Sequence, residues 1–164
     1  MKPRVRRDVV RIAQQFELMR DFCAAADRHS SRISGWSVGQ HVDHLIKADQ
    51  SIFVRFPAPE EEAPPQVTPL GRFVLWTGWI PRGKGKAPSA TQPEAPERDA
   101  LIEGIDGIER LFEQAIELPE ALADPAPIAK HPYFGGLNRA QWLRFVQVHH
   151  HHHAKIVRDI LRAS

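Results

Sequence analysis

The stretch "VQVHHHHHAKIVRDIL", Val146–Leu161, sets five consecutive histidines inside a chain of 164 residues. A purification tag normally lies beyond the folded chain. Here the run leads into "AKIVRDILRAS", where Ile156, Val157, Ile160 and Leu161 recur at helical spacing. That spacing predicts one helix through "RAQWLRFVQVHHHHHAKIVRDILRA", so the histidines can be sorted by direction. Each residue turns an α-helix by about 100°. With His149 at zero, His153 falls near 40°, and Trp142, Phe145, Ile156 and Ile160 lie within about 40° of zero. His152, at about −60°, borders this apolar stripe. His150, near 100°, shares a flank with Leu143, Val157 and Leu161. His151, near 200°, points with Arg144, Lys155 and Arg158 toward water. His149 and His153 are therefore expected together on the buried stripe.

Two imidazoles one turn apart can converge on one ion, as paired histidines do on zinc. Two interior histidines satisfied by hydrogen bonds would show the same spacing, so a third ligand decides. Outside the run stand His29, His41, His44 and His131. His29 is placed at a helix end and His131 in a loop. His41 and His44 share a second helix, "VGQHVDHLIKADQSIFVRF". With His44 at zero, its apolar residues cluster near 100° and His41 lies at about 60°. Both histidines can reach the interior, and periodicity does not choose between them.

The rest of the chain reads as helix and loop. Val5, Val9, Ile12, Phe16, Met19 and Cys23 predict a first helix over residues 5–27. Ser37 followed by Gln40 forms a capping box that starts the second helix, which must stop near Pro57. "PAPEEEAPPQVTP" is too rich in proline to be helical, and "LGRFVLWTGWI" is a short helix candidate. A long Gly/Pro/Lys-rich connection follows. "ERDALIEGIDGIERLFEQAIE" is a third long helix, weakened by Gly104 and Gly107. Asn138 caps the last one, with Leu137 before it as a staple. Four amphipathic helices without a convincing alternating strand predict an all-α four-helix bundle. One domain is expected over 1–164, with long loops between helices two and three and between three and four.

Composition limits the partners. A net charge of +2 is too small to imply a polyanion. The basic clusters Arg4, Arg6, Arg7, Arg11 and Arg82, Lys84, Lys86 are short enough to be ordinary solvated surface, so no nucleic acid is expected. "FVLWTGWI" is too short to span a bilayer, and no signal-peptide core follows the basic start. The single cysteine, Cys23, lies on an apolar helical pattern and suits a reducing compartment. No membrane association and a cytoplasmic location are expected.

"GWSVGQHVDHLIKAD" and "HPYFGGLNRAQWLRFVQVHHHHHAKIV" resemble the two signature regions of the DinB-like four-helix metal-binding superfamily. The loop "IPRGKGKAPSATQP" also looks like an uncharacterised branch of it. The resemblance implies up-down-down-up topology, often a homodimer, and a divalent metal on three histidines. It matches His44, which follows Trp36 and Ser37 and precedes Leu45, and it matches His149 and His153, the pair the helical wheel selects. His41 departs from the usual residue there and is retained as an outer-shell or alternate ligand. Three imidazoles suit zinc or nickel, with iron or copper next, over magnesium or calcium. Relatives in the family include thiol-dependent transferases and isomerases, and some look hydrolytic. A metal-dependent transferase or hydrolase is therefore expected, acting on a small molecule with a low-molecular-weight thiol as candidate partner. The alternative is a non-catalytic, stress-linked bundle braced by its metal. Tyr133, just before the ligand helix, is a candidate acid over the metal, and His152 a candidate proton shuttle. Asp43 adjoins His44 but points elsewhere on the helix. The tryptophan-rich "FVLWTGWI" must bury itself against the bundle or a second copy.

Overall fold

The computed structural model describes residues 1–60, 66–83, 85–117 and 119–163. Residues 61–65 of the proline-rich loop and Lys84 of the second basic cluster lie outside the described residues. The described residues form five α-helices: α1 (Pro3–Cys23), α2 (Val38–Phe53), α3 (Pro69–Thr77), α4 (Arg98–Ile116) and α5 (Arg139–Ala163). The fold is all-α, apart from one small hairpin.

Cross-helix contacts give the directions. Asp8 meets Arg144 at 3.3 Å and Gln15 meets the Gln147 carbonyl at 3.1 Å, so α1 and α5 run parallel. Arg20 pairs with Asp106 and Glu109 while Phe16 packs on Phe112, so α4 runs against α1. His41 reaches His153 and His44 reaches His149, so α2 runs against α5. Gly104 lies against Ile46 and Phe112 against Phe53, so α2 and α4 are parallel. The order is up-down-down-up. Phe16, Phe53, Ile12, Leu101, Ile105 and Ile108 are fully enclosed at the centre. Each such side chain contributes about 1.5–3 kcal/mol of apolar burial.

α1 ends sooner than its periodicity predicts, because backbone bonds in the next turn shorten to the three-residue kind: Ala24 and Ala25 donate to Asp21 and Phe22. The freed carbonyls of Ala26 and Arg28 then accept from Gly39 and Val38, the first donors of α2. A Cβ on Gly39 would come within 3.0 Å of the Ala26 carbonyl oxygen, so glycine permits this junction. Both helices that carry the clustered histidines begin on reciprocal caps. Ser37 and Gln40 exchange bonds at α2, and Asn138 and Gln141 do so at α5.

The expectation of no strand is corrected by an antiparallel hairpin, β1 (Ala129–His131) with β2 (Gly135–Leu137). Three residues per strand are too few for alternation to show in sequence. The turn depends on Gly135, whose φ of 78° and distance of 2.2 Å from a would-be Cβ to the Gln66 carbonyl oxygen admit no side chain.

α3 lies on α5 and is fastened by Arg4 and Arg144, which both donate to the Leu75 carbonyl, at 2.6 and 3.1 Å. Gly71, Val74 and Leu75 face inward. Leu70, Phe73 and Trp76 face out, Trp76 with 78% of its surface exposed, and Trp79 continues that face.

Candidate metal centre

α2 and α5 run antiparallel, so one turn of each faces the other. His44 comes from α2, His149 and His153 from α5, and one nitrogen from each lies within 4.8 Å of the others. His149 Nε2 is 3.2 Å from His44 Nε2 and 3.1 Å from His153 Nε2. These are short distances between nitrogens that cannot all be donors. His44 Nδ1 is 2.7 Å from the Thr91 carbonyl oxygen. A carbonyl only accepts, so the ring proton sits on Nδ1 and Nε2 presents a lone pair. Burial pushes His44 below the ordinary imidazole range, partly offset by that bond. Burial, then neighbouring imidazoles, pushes His149 and His153 well below it. All three rings are therefore neutral at neutral pH, each with one lone pair to offer, and the Thr91 carbonyl fixes that of His44 on Nε2.

Convergent lone pairs repel unless a cation lies between them. A tetrahedron with metal–nitrogen bonds of 2.0–2.1 Å has edges of roughly 3.3 Å, close to the two nitrogen separations given above. The donor set therefore fits a divalent ion that accepts imidazole. The cluster could hold a metal ion.

Each ring is held differently. The Thr91 carbonyl behind His44 belongs to a segment docked on α2. Asp43 Oδ2 accepts from the Glu94 amide at 2.7 Å and from Lys47 Nζ at 3.0 Å, and Lys47 also donates to the Gln92 carbonyl. Asp43 is buried and fixes that segment rather than meeting solvent. His149 stacks on Phe145 at 5.2 Å, and its buried Nδ1 has no hydrogen-bond partner among the described residues. His153 touches His41, whose Nδ1 lies 2.8 Å from His153 Nδ1. Trp36 covers this side, its ring stacked on His153 at 6.3 Å and 5.1 Å from His44.

One expectation changes. His150, placed on a flank of α5, is only 1% exposed, less than His149. α5 is buried on two sides, by α1 and by α2, so its interior arc is wider than one stripe. His150 Nε2 lies 2.7 Å from Asp49 Oδ2, and Asp49 is fully buried. The Tyr133 hydroxyl donates to the Lys86 carbonyl at 3.2 Å, and the residue is 48% exposed. His152 stays at the margin, with its ring 5.2 Å from that of His153. Burial, then the charge of Arg82, pushes it down to about 4. His151 is exposed, as its direction on the helix predicts.

Thr91, Asp49 and Ser34 are the residues that sequence reasoning missed. Thr91 acts through its carbonyl, which no side-chain pattern can signal. Asp49 and Ser34 are single polar residues whose partners lie far along the chain. Cys23 is a buried thiol bonded to the Met19 carbonyl, and burial pushes its pKa up.

His131 gives a pH-dependent prediction away from the cluster. Its ring is stacked on Phe134 at 4.0 Å and 8% exposed, and burial pushes it down to about 4. The folded value lies below the unfolded one, so the unfolded chain binds more protons between them. Stability is then fully present above about pH 6.5 and is lost as pH falls toward 4, with His131 accounting for roughly 3 kcal/mol. His131→Asn, which does not titrate there, should flatten the dependence of the urea midpoint between pH 7 and 4.5. An unchanged slope would rule out His131 as a source.

The model of the DinB superfamily matches residues 12–157. No curated protein and no solved structure gives a match.

Proposed function

The chain belongs to the DinB superfamily, and on that premise we propose that it is a metal-dependent enzyme. It acts as a transferase or hydrolase on a small molecule, with a low-molecular-weight thiol as the co-substrate to test first. The observation that carries this reading is the convergence of His44, His149 and His153 within 4.8 Å. Zinc and nickel suit three neutral imidazoles best, followed by iron and copper. Structural zinc is usually closed by four protein ligands, whereas three leave a position open. When bound, such an ion supplies Lewis acidity, which ionises a water or thiol at that position near neutral pH.

The chain's own residues do the rest. The Thr91 carbonyl keeps the His44 lone pair aimed inward. Trp36 shields the rings of His44 and His153 from water on one side. His152, neutral at pH 7, accepts and passes protons at the margin but does not store them. No helix among the described residues is long and apolar enough to cross a membrane.

Cobalt(II)-substituted protein tests the open position. Adding 2-mercaptoethanol should produce a thiolate-to-cobalt charge-transfer band. An unchanged spectrum would mean a closed shell and a bundle that is only braced by its ion.

A further inference from the structure

We propose that His41 is a positioning residue for the metal, the middle of a hydrogen-bond relay from Ser34 to His153. The inference rests on the three-histidine reading and adds to it the direction of each proton. His153 Nε2 faces His149 Nε2 at 3.1 Å and must present a lone pair to an ion. The single proton of neutral His153 is then on Nδ1. His41 Nδ1 lies 2.8 Å away, so it accepts. Neutral His41 consequently carries its own proton on Nε2, which donates to Ser34 Oγ at 3.0 Å. Ser34 Oγ also accepts from the Trp36 amide at 3.1 Å. Both lone pairs of the hydroxyl are thereby used, and the relay is anchored in the backbone between α1 and α2.

Both nitrogens of His41 are occupied, which sets it behind a ligand rather than among the ligands. A metal-bound histidine ordinarily gives its other N–H to a carboxylate, a carbonyl or water. Here His44 uses a carbonyl and His153 a second imidazole. That imidazole is 2% exposed and fills the space between α2 and α5, so water cannot replace it. The relay fixes both the tautomer and the rotation of His153.

The test measures zinc affinity by competition with a chromophoric chelator, together with apo-protein melting, on the full chain. His41→Leu should bind zinc about 10–100-fold more weakly. His41→Gln should recover most of that loss, because its amide oxygen can accept from His153 Nδ1. Ser34→Ala should weaken binding in the same direction by a smaller factor, and it serves if the leucine variant does not fold. Native affinity in His41→Leu, or equal losses in the leucine and glutamine variants, would overturn the relay. His44→Ala is the control for the site itself. If it binds zinc as the native chain does, the three-histidine site fails and the relay with it. If it loses zinc while the His41 and Ser34 variants do not, only the relay fails.

Discussion

Alanine at His44, His149 or His153 lowers zinc or nickel affinity by more than about 100-fold, since each change deletes a direct ligand and even an outer partner is worth about 10–100-fold. The three changes should be similar in size although the rings are held differently. His44 and His153 are backed by hydrogen bonds, and His149 by the face of Phe145. His151→Ala should leave affinity unchanged, because that side chain is exposed. His150→Ala should keep the metal stoichiometry, because its ring is turned to Asp49. The comparison needs protein purified without an immobilised-metal resin, which a histidine run would strip of nickel. Equal, partial losses across all five histidines would show the run binding as a flexible tag binds, and the three-histidine site would be wrong.

The second large effect is on stability. His150 and Asp49 are 1% and 0% exposed, and they meet at 2.7 Å between α5 and α2. His150 also packs its edge against Phe16 of α1. Removing the imidazole leaves the buried Asp49 side chain without the partner that meets its Oδ2. His150→Ala should therefore cost about 3–5 kcal/mol, read as a lower urea midpoint at constant slope. Asp49→Ala should cost a similar amount. Replacing both by apolar residues of matched volume should recover much of it, because the desolvation of the pair disappears with the pair. Single variants within about 1 kcal/mol of the native chain would show that the contact contributes only an ordinary hydrogen bond.

These two effects divide a homopolymer into residues with separate roles, and periodicity reaches only part of that division. Spacing alone predicts α2, α4 and α5, their approximate limits and the cap at Ser37, because amphipathic helices carry their burial pattern along the chain. It separates His151 from His149 and His153 for the same reason. It misplaces His150, because one stripe describes a helix with one neighbour and α5 has two. It leaves His41 and His44 undecided, since both point inward and only the facing helix distinguishes a nitrogen aimed at His149 from one aimed at Ser34. The hairpin at Gly135 depends on a turn and on the approach of Gln66. Those are tertiary facts, and local composition does not carry them.

The parallel pairing of α1 with α5 has a consequence for how the chain is made. Gln15 meets its partner 132 residues later, and Arg20 meets Glu109 89 residues later. At a synthesis rate of about 5–20 residues per second, the apolar stripe of α1 waits roughly ten seconds for α5 to emerge from the ribosome. Contacts this distant in sequence also slow closure of the bundle, because the loop entropy is lost before they form. During that interval the part of the α1 stripe that α5 covers, where Phe16 meets His150, has only solvent or another nascent chain to meet. Arg4, Arg6, Arg7 and Arg11 on the same helix set like charges against such self-association, in the manner of gatekeeper residues beside an apolar run.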